Sequence, residues 1–188
     1  IPIYGGVRLS GKLNNKWRIG AMDMQTKSDE VFRIKSQNYG VAAIQRQIGE
    51  ASNISGVFVD RQAADTSQDY NRLAGIDYNF ATKANFIRGK VFLHHTFSPS
   101  GGNQQFAHAS WIMHNGRKVY WEWNHEFVGK DYKAEVGYVP RQNYWRLEPH
   151  FNYSIYPKSN YINKIQILSS INTYSDSKYH VTDFARQI

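Results

Sequence analysis

The 188-residue chain contains no cysteine, which excludes disulfide scaffolds, thiolate metal sites and cysteine nucleophiles. Long apolar runs are missing too. Val41-Ala42-Ala43-Ile44 is typical of the longest, against roughly 20 residues for a membrane-spanning helix. That excludes such a helix but not a membrane β-barrel, whose strands alternate and average as polar. Helix signals are nearly absent, because no stretch repeats apolar residues at i, i+3, i+4 and i+7 over three turns. The opening Ile1-Pro2 carries neither Met nor a signal segment, as expected of a processed chain or a piece of a longer one.

Aromatic residues are abundant, at 15% of the chain, and the net charge is +8. Hydrophobic content is 41% and mean hydropathy −0.61. A chain this rich in rings is not disordered, and its length suits a single domain with a sizeable core.

Period two dominates. Val119, Trp121, Trp123, His125 and Phe127 alternate with Lys118, Tyr120, Glu122, Asn124 and Glu126. Trp145, Leu147, Pro149, Phe151, Tyr153 and Ile155 alternate with Arg146, Glu148, His150, Asn152 and Ser154, and 74–80 and 87–97 repeat the pattern. Each reads as a strand with one apolar and one polar face. The pattern predicts about twelve antiparallel strands, at 2–13, 16–27, 39–49, 54–62, 70–82, 85–98, 105–115, 117–128, 132–140, 143–156, 162–174 and 178–187. Many exceed the 5–6 residues usual for globular strands and reach the ~9–11 that cross a bilayer at a tilt.

The connections alternate in length. Asn14-Asn15, 50–53, Lys83-Ala84, Asn115-Gly116 and Arg141-Gln142 are short, and Asn-Asn and Asn-Gly suit two-residue turns with positive φ. Between them fall 28–38, 63–69, 99–104 and, out of pattern, 129–131; 157–161 and 175–177 follow. Tight turns at one end and longer loops at the other describe an up-and-down outer-membrane barrel. Soluble barrels and sandwiches share the strand pattern but not this asymmetry. With tight turns periplasmic, strand 2–13 runs inward, so a further strand is expected before Ile1. Gln187-Ile188 lacks the terminal aromatic usual in such barrels, and both ends read as interior to a longer barrel.

Five segments carry a family likeness: Ile1-Pro2-Ile3-Tyr4-Gly5-Gly6-Val7-Arg8-Leu9-Ser10-Gly11-Lys12, Trp17-Arg18-Ile19-Gly20-Ala21-Met22, Gly56-Val57-Phe58-Val59-Asp60-Arg61-Gln62, Asn71-Arg72-Leu73-Ala74-Gly75-Ile76-Asp77-Tyr78 and Glu135-Val136-Gly137-Tyr138-Val139-Pro140-Arg141. In this order they resemble an uncharacterised family of Bacteroidetes-type outer-membrane proteins, in which a carbohydrate-binding family-nine-like domain precedes a long β-barrel domain of unknown function. The resemblance implies a mid-barrel fragment (residues 1–188 as one incomplete barrel segment) without the sugar-binding-like domain. It brings no catalytic residues.

The residues add no enzyme chemistry. Glu122 and Glu126 are four strand residues apart, roughly 13 Å, beyond the ~5–9.5 Å of glycosidase pairs. Glu126 facing Glu135 across the connection at 129–131 reads as two carboxylates in a wet lumen. Adjacent His94 and His95 point to opposite faces and cannot share a metal. His108, His114, His125, His150 and His180 show no ligand spacing, no nucleophile-elbow motif occurs, and Gly101-Gly102 reads as turn geometry. Lys12, Lys16, Lys27, Lys83, Arg117, Lys118, Lys130, Lys133, Arg141 and Lys164 fall mostly at strand ends, unlike a nucleic-acid stripe.

The expectation is therefore a non-enzymatic segment of a bacterial outer-membrane barrel, serving solute passage, docking or glycan handling at the cell surface. Its partners are the lipid bilayer and lipopolysaccharide, then glycans and other outer-membrane proteins, with no nucleic acid and no cofactor. Arg18, Asp77, Arg88, Lys90, Glu122, Asn124, Glu126, Arg146, Glu148, His150 and Asn152 are expected to face the lumen. Val119, Trp121, Trp123, Phe127, Trp145, Leu147, Phe151, Tyr153 and Ile155 are expected to face lipid. The alternative is a soluble secreted β-sandwich or barrel that binds carbohydrate on exposed aromatics.

Overall fold

Alternating sequence becomes alternating structure. The computed structural model of the chain describes residues 2–31, 33–65 and 68–188. Ile1, at the head of the first family-like segment, lies outside them, as do Phe32, Thr66 and Ser67 within two connections. The described residues form eleven strands and no helix: β1 (Ile3–Lys12), β2 (Trp17–Thr26), β3 (Gln37–Ile48), β4 (Ser52–Ala63), β5 (Tyr70–Ala81), β6 (Ile87–Phe97), β7 (Phe106–Asn115), β8 (Val119–Val128), β9 (Tyr144–Ile155), β10 (Ile165–Ser175) and β11 (Val181–Gln187). They make one antiparallel sheet in strict chain order, β1 to β11. β1 pairs only with β2 and β11 only with β10, so the sheet is open within this chain.

Ten strands run 10–12 residues and β11 seven. In-register pairing carries each side chain's face to the next strand, because directly opposed residues share a side. The row Ile44↔Gly56, Gly56↔Ile76 and Ile76↔Leu93 stays apolar across β3 to β6. Trp121↔Phe151 and Trp123↔Pro149 extend the same face across β8 and β9. The β9–β10 register is interrupted between His150↔Ser170 and Leu147↔Thr173, where Pro149 has no N–H to donate.

The expected strand at 132–140 does not form. Residues 129–143 are instead the longest connection, held by turns and side-chain contacts. Pro140 and Gly137 interrupt its short periodic stretch, and two buried contacts, described below, outcompete strand pairing. The removal of this strand makes 129–143 a long-end loop, which repairs the weak member of the alternation. It also reverses the last strands, so that the longer connection 156–164 falls at the short-turn end and the shorter 176–180 at the long-loop end, against the expected alternation. Positive φ occurs at Gly49 (64°), Asn85 (54°) and Asn143 (60°), and not at Asn14-Asn15 or Asn115-Gly116. Those two turns have more room than the two-residue type demands, because β1 ends at Lys12 and β8 begins at Val119.

A layered core is absent among the described residues. The buried cluster is small: Ala107, Val128, Tyr132 and Tyr144, with Leu73, Ala134, Val139 and Tyr174 packed against it. It lies where loop 129–143 folds over the polar face at the long-loop end.

Candidate functional site

The sheet sorts its side chains into two faces of different chemistry. One carries Val7, Leu9, Ile19, Ile44, Phe58, Ile76, Leu93, Trp121, Trp123, Phe151, Ile167 and Phe184, related strand to strand by register. Most of these are exposed, Trp121 at 37% and Trp123 at 42%. Rings gather near both ends of this face. Tyr78 stacks on Phe80, and His114 on Trp121, toward the short turns. Phe106, Phe127 and Trp145 pack together toward the long loops, with ring centroids 5.0 Å and 4.6 Å apart. Beyond them, toward the long loops, the face turns polar: Arg72 pairs with Asp60 at 2.9 Å, and Asn38 reaches Asp23.

The nine residues expected to face lipid all fall on this apolar face, since Val119 opposes Tyr153, Phe127 opposes Trp145, His125 opposes Leu147 and Ile165 opposes Ile155.

The other face is polar and largely satisfies itself. Asp77 lies 3.0 Å from Lys90 Nζ and 3.4 Å from His94 Nε2. Glu122 accepts from the Tyr120 hydroxyl and from Asn124 Nδ2 at 2.7 Å. Arg146 pairs with Glu148, whose other oxygen lies 3.4 Å from His150. The Arg88 guanidinium lies over the Trp111 ring, 5.6 Å from its centroid. Glu126 opposes Arg146 and neighbours the Tyr144 phenol on the same face. A cavity of about 140 Å³ opens among Lys90, Trp111, Asn124, Glu126 and Arg146. All eleven residues expected to face the lumen share this face; Arg18 stands apart from the others near the short turns, and Asn152 leaves its Oδ1 without a partner among the described residues.

Glu126 and Glu135 do not meet. Glu135 is taken by Arg61 at 2.7 Å, which also holds Asp69 at 2.8 Å. This knot is what sequence reading missed. Loop 129–143 lies over Arg61 (β4), Asn71 (β5) and Thr96 (β6), which are 7%, 3% and 1% exposed. Asn71 Nδ2 donates to the Lys133 carbonyl at 2.8 Å and its Oδ1 accepts from the Glu135 N–H. The Lys133 N–H donates to Thr96 Oγ1, and the Asp131 N–H to the Gln104 carbonyl. The available signal was modest: Arg61, Asn71 and Thr96 are polar residues at the same end and on the same face of consecutive strands. Outside the strands, Asp69 sits below the ordinary carboxylate range because Arg61 donates to it, and burial pushes the Tyr132 phenol up.

His94 and His95 do occupy opposite faces, beside Asp77 and Phe97 respectively. Register also makes an unforeseen chain on the apolar face. Ser110 Oγ lies 2.6 Å from His125 Nδ1, and His125 Nε2 lies 3.0 Å from His108 Nδ1. Where a triad needs a carboxylate, the second imidazole is surrounded by Phe106, Phe127 and Trp145. The chain ties β7 to β8 on the apolar face, with an imidazole in the place a triad's carboxylate would hold.

A family model described as a domain of unknown function (DUF5916) matches residues 6–187. No curated protein and no solved structure matches the chain.

Proposed function

The chain belongs to the DUF5916 family, a domain of unknown function, and from that premise we propose that it forms part of the wall of a β-barrel in a bacterial outer membrane. The apolar face meets lipid and the polar face lines a wet interior. One observation carries the reading: exposed apolar side chains run across a single sheet from β1 to β11, with no second layer on them among the described residues, while most of the paired charges lie on the opposite face. Soluble monomers seldom expose apolar patches above a few hundred Å², whereas a barrel presents an outward apolar band flanked by aromatic rings. Strands of 10–12 residues suit a tilted crossing. The role is non-enzymatic and consists of solute passage, docking or glycan presentation, and the sugar-binding-like domain of the resembled family fits the last of these.

Alkaline carbonate extraction of cells expressing the full-length protein tests this. The protein should remain in the membrane pellet and enter solution with detergent; release by carbonate alone overturns the proposal. A second reading rests on a groove of about 640 Å³ on the apolar face, beside Ile112, Trp121, Trp123, Pro149 and Phe151. There a soluble module stacks sugar rings on the aromatics, and glycans quench Trp fluorescence in detergent-free buffer.

A further inference from the structure

On the polar face of β5 to β9, most charges meet an opposite charge or a ring. β1 and β2 are different. Lys12 and Arg18 are directly opposed across the β1–β2 ladder, on the face that carries Ser10 and Gly20. Like charges placed so destabilise a strand pair unless an anion lies between them. Neither has a side-chain partner among the described residues, and neither has Lys16 in the connection between them. No acid shares this face on β1, β2 or β3.

These three cations line a cavity of about 280 Å³ at the short-turn end, together with Asn15, Gln45, Gln47, Glu50, Ser52 and Asn53. The carboxylate in that set, Glu50, is engaged with Lys83 at 3.5 Å across the next connection. Gln47 donates to the Gly49 and Glu50 carbonyls, and Asn53 accepts from Asn79. Gln45, directly opposite Arg18, has no side-chain partner among the described residues. The turn is shaped by Asn14 Oδ1, which accepts from the Lys16 and Trp17 N–H groups.

We propose that this cavity binds a tetrahedral oxyanion, phosphate or sulfate, carried as an ester on a small hydroxylated body such as a sugar. Arg18 offers the planar fork that grips two oxygens of such a group, and Lys12 and Lys16 add point charges. Gln45 and Asn53 supply amide groups for hydroxyls beside it. The volume lies near the lower end of small-ligand pockets, about 300 Å³. Lys12 and Arg18 lie on the face opposite Leu9 and Ile19, which favours a solute over a lipid headgroup. The anion site rests on charge, register and the cavity and stands apart from the membrane reading; only the choice of a solute over a headgroup leans on that reading.

Calorimetric titration of the full chain with inorganic phosphate and with a hexose phosphate, in whichever detergent or buffer keeps it monodisperse, tests it. The hexose phosphate should bind saturably and more tightly than phosphate, and K12Q/R18Q should weaken both by about tenfold or more. K118Q, a change at another short turn, should leave both unchanged. Phosphate should raise the melting temperature of the wild-type chain and not that of K12Q/R18Q. Without anion the double variant should be at least as stable as wild type, because the like-charge opposition is gone. K16Q provides an independent check, since it leaves both strands intact and should weaken binding by a smaller factor. Absence of binding, or binding indifferent to these substitutions, overturns the site. Capture by phosphatidylglycerol vesicles that needs Lys12 and Arg18, with no binding of either soluble probe, overturns the assignment to a solute.

Discussion

Trp123 and Asn124 are chain neighbours that meet different surroundings, because successive strand side chains leave the sheet on opposite sides. Trp123 stands on the apolar face opposite Ile112 and Pro149, and Asn124 on the polar face beside Glu122. An Arg on a lipid-facing position at mid-membrane costs about 2–4 kcal/mol, whereas substitutions facing a lumen are tolerated. Trp123→Arg should therefore block assembly into the membrane fraction, and Asn124→Arg should leave it intact. Heat-modified mobility in a detergent gel reads both. Equal behaviour of the two variants contradicts the assignment of faces. Asp69 supports a pH prediction. Its folded pKa is lowered, chiefly because Arg61 donates to it, so its contribution is present above the unfolded carboxylate value. That contribution disappears as pH falls through the lowered folded value. Asp69 is half exposed, so solvent screens the effect. An acid titration of the melting temperature should lose part of its slope below the ordinary carboxylate range in Asp69→Asn.

Among the elements, loop 129–143 is the one whose order depends on distant parts of the chain. Tyr132 is buried against Ala107, Val128 and Tyr144, and Asn71 satisfies one donor and one acceptor of the loop backbone. Asn71→Ala leaves the Lys133 carbonyl and the Glu135 N–H unpaired beneath the loop, at about 1–3 kcal/mol. Amide exchange and proteolysis within 129–143 should accelerate, while β1 to β3 keep their protection. Uniform loosening of the whole sheet would contradict a local strap. The strands themselves need no such help, because each in-register neighbour repeats the same face.

At the scale of the molecule, the dominant fact is a sheet with only a small buried cluster. A soluble domain of this length normally buries a large share of its apolar surface between layers. Here the apolar side chains point away from the face that carries most of the paired charges among the described strands, with Arg72–Asp60 the exception, and the outermost strands β1 and β11 are exposed along their whole lengths. On the proposed membrane reading, carbonate extraction is decided at this scale, because the whole apolar band rather than any single residue would hold the protein in the bilayer. The polar face is uneven as well. Charges are matched from β5 to β9 and uniformly cationic on β1 and β2, and loop 129–143 covers only the long-loop end.

The amino-acid sequence by itself determined eleven of the twelve expected strands, their approximate extents and the two faces. A period of two needs only neighbouring residues, so Trp121, Trp123, Phe151 and Tyr153 separate from Tyr120, Glu122, Arg146 and Asn152 without any knowledge of contacts. Both sets were legible because every strand repeats the rule. Only the tertiary structure decided what 132–140 does. Its short alternation reads as a strand, yet Arg61 and Asn71, more than 60 residues earlier in the chain, offer its backbone and Glu135 partners that a strand position would forfeit. With that strand removed, the directions of the last three reverse. The Lys12–Arg18 opposition and the Ser110–His125–His108 chain also depend on cross-strand register. Register is set by pairing along whole strands and leaves no mark on any one of them.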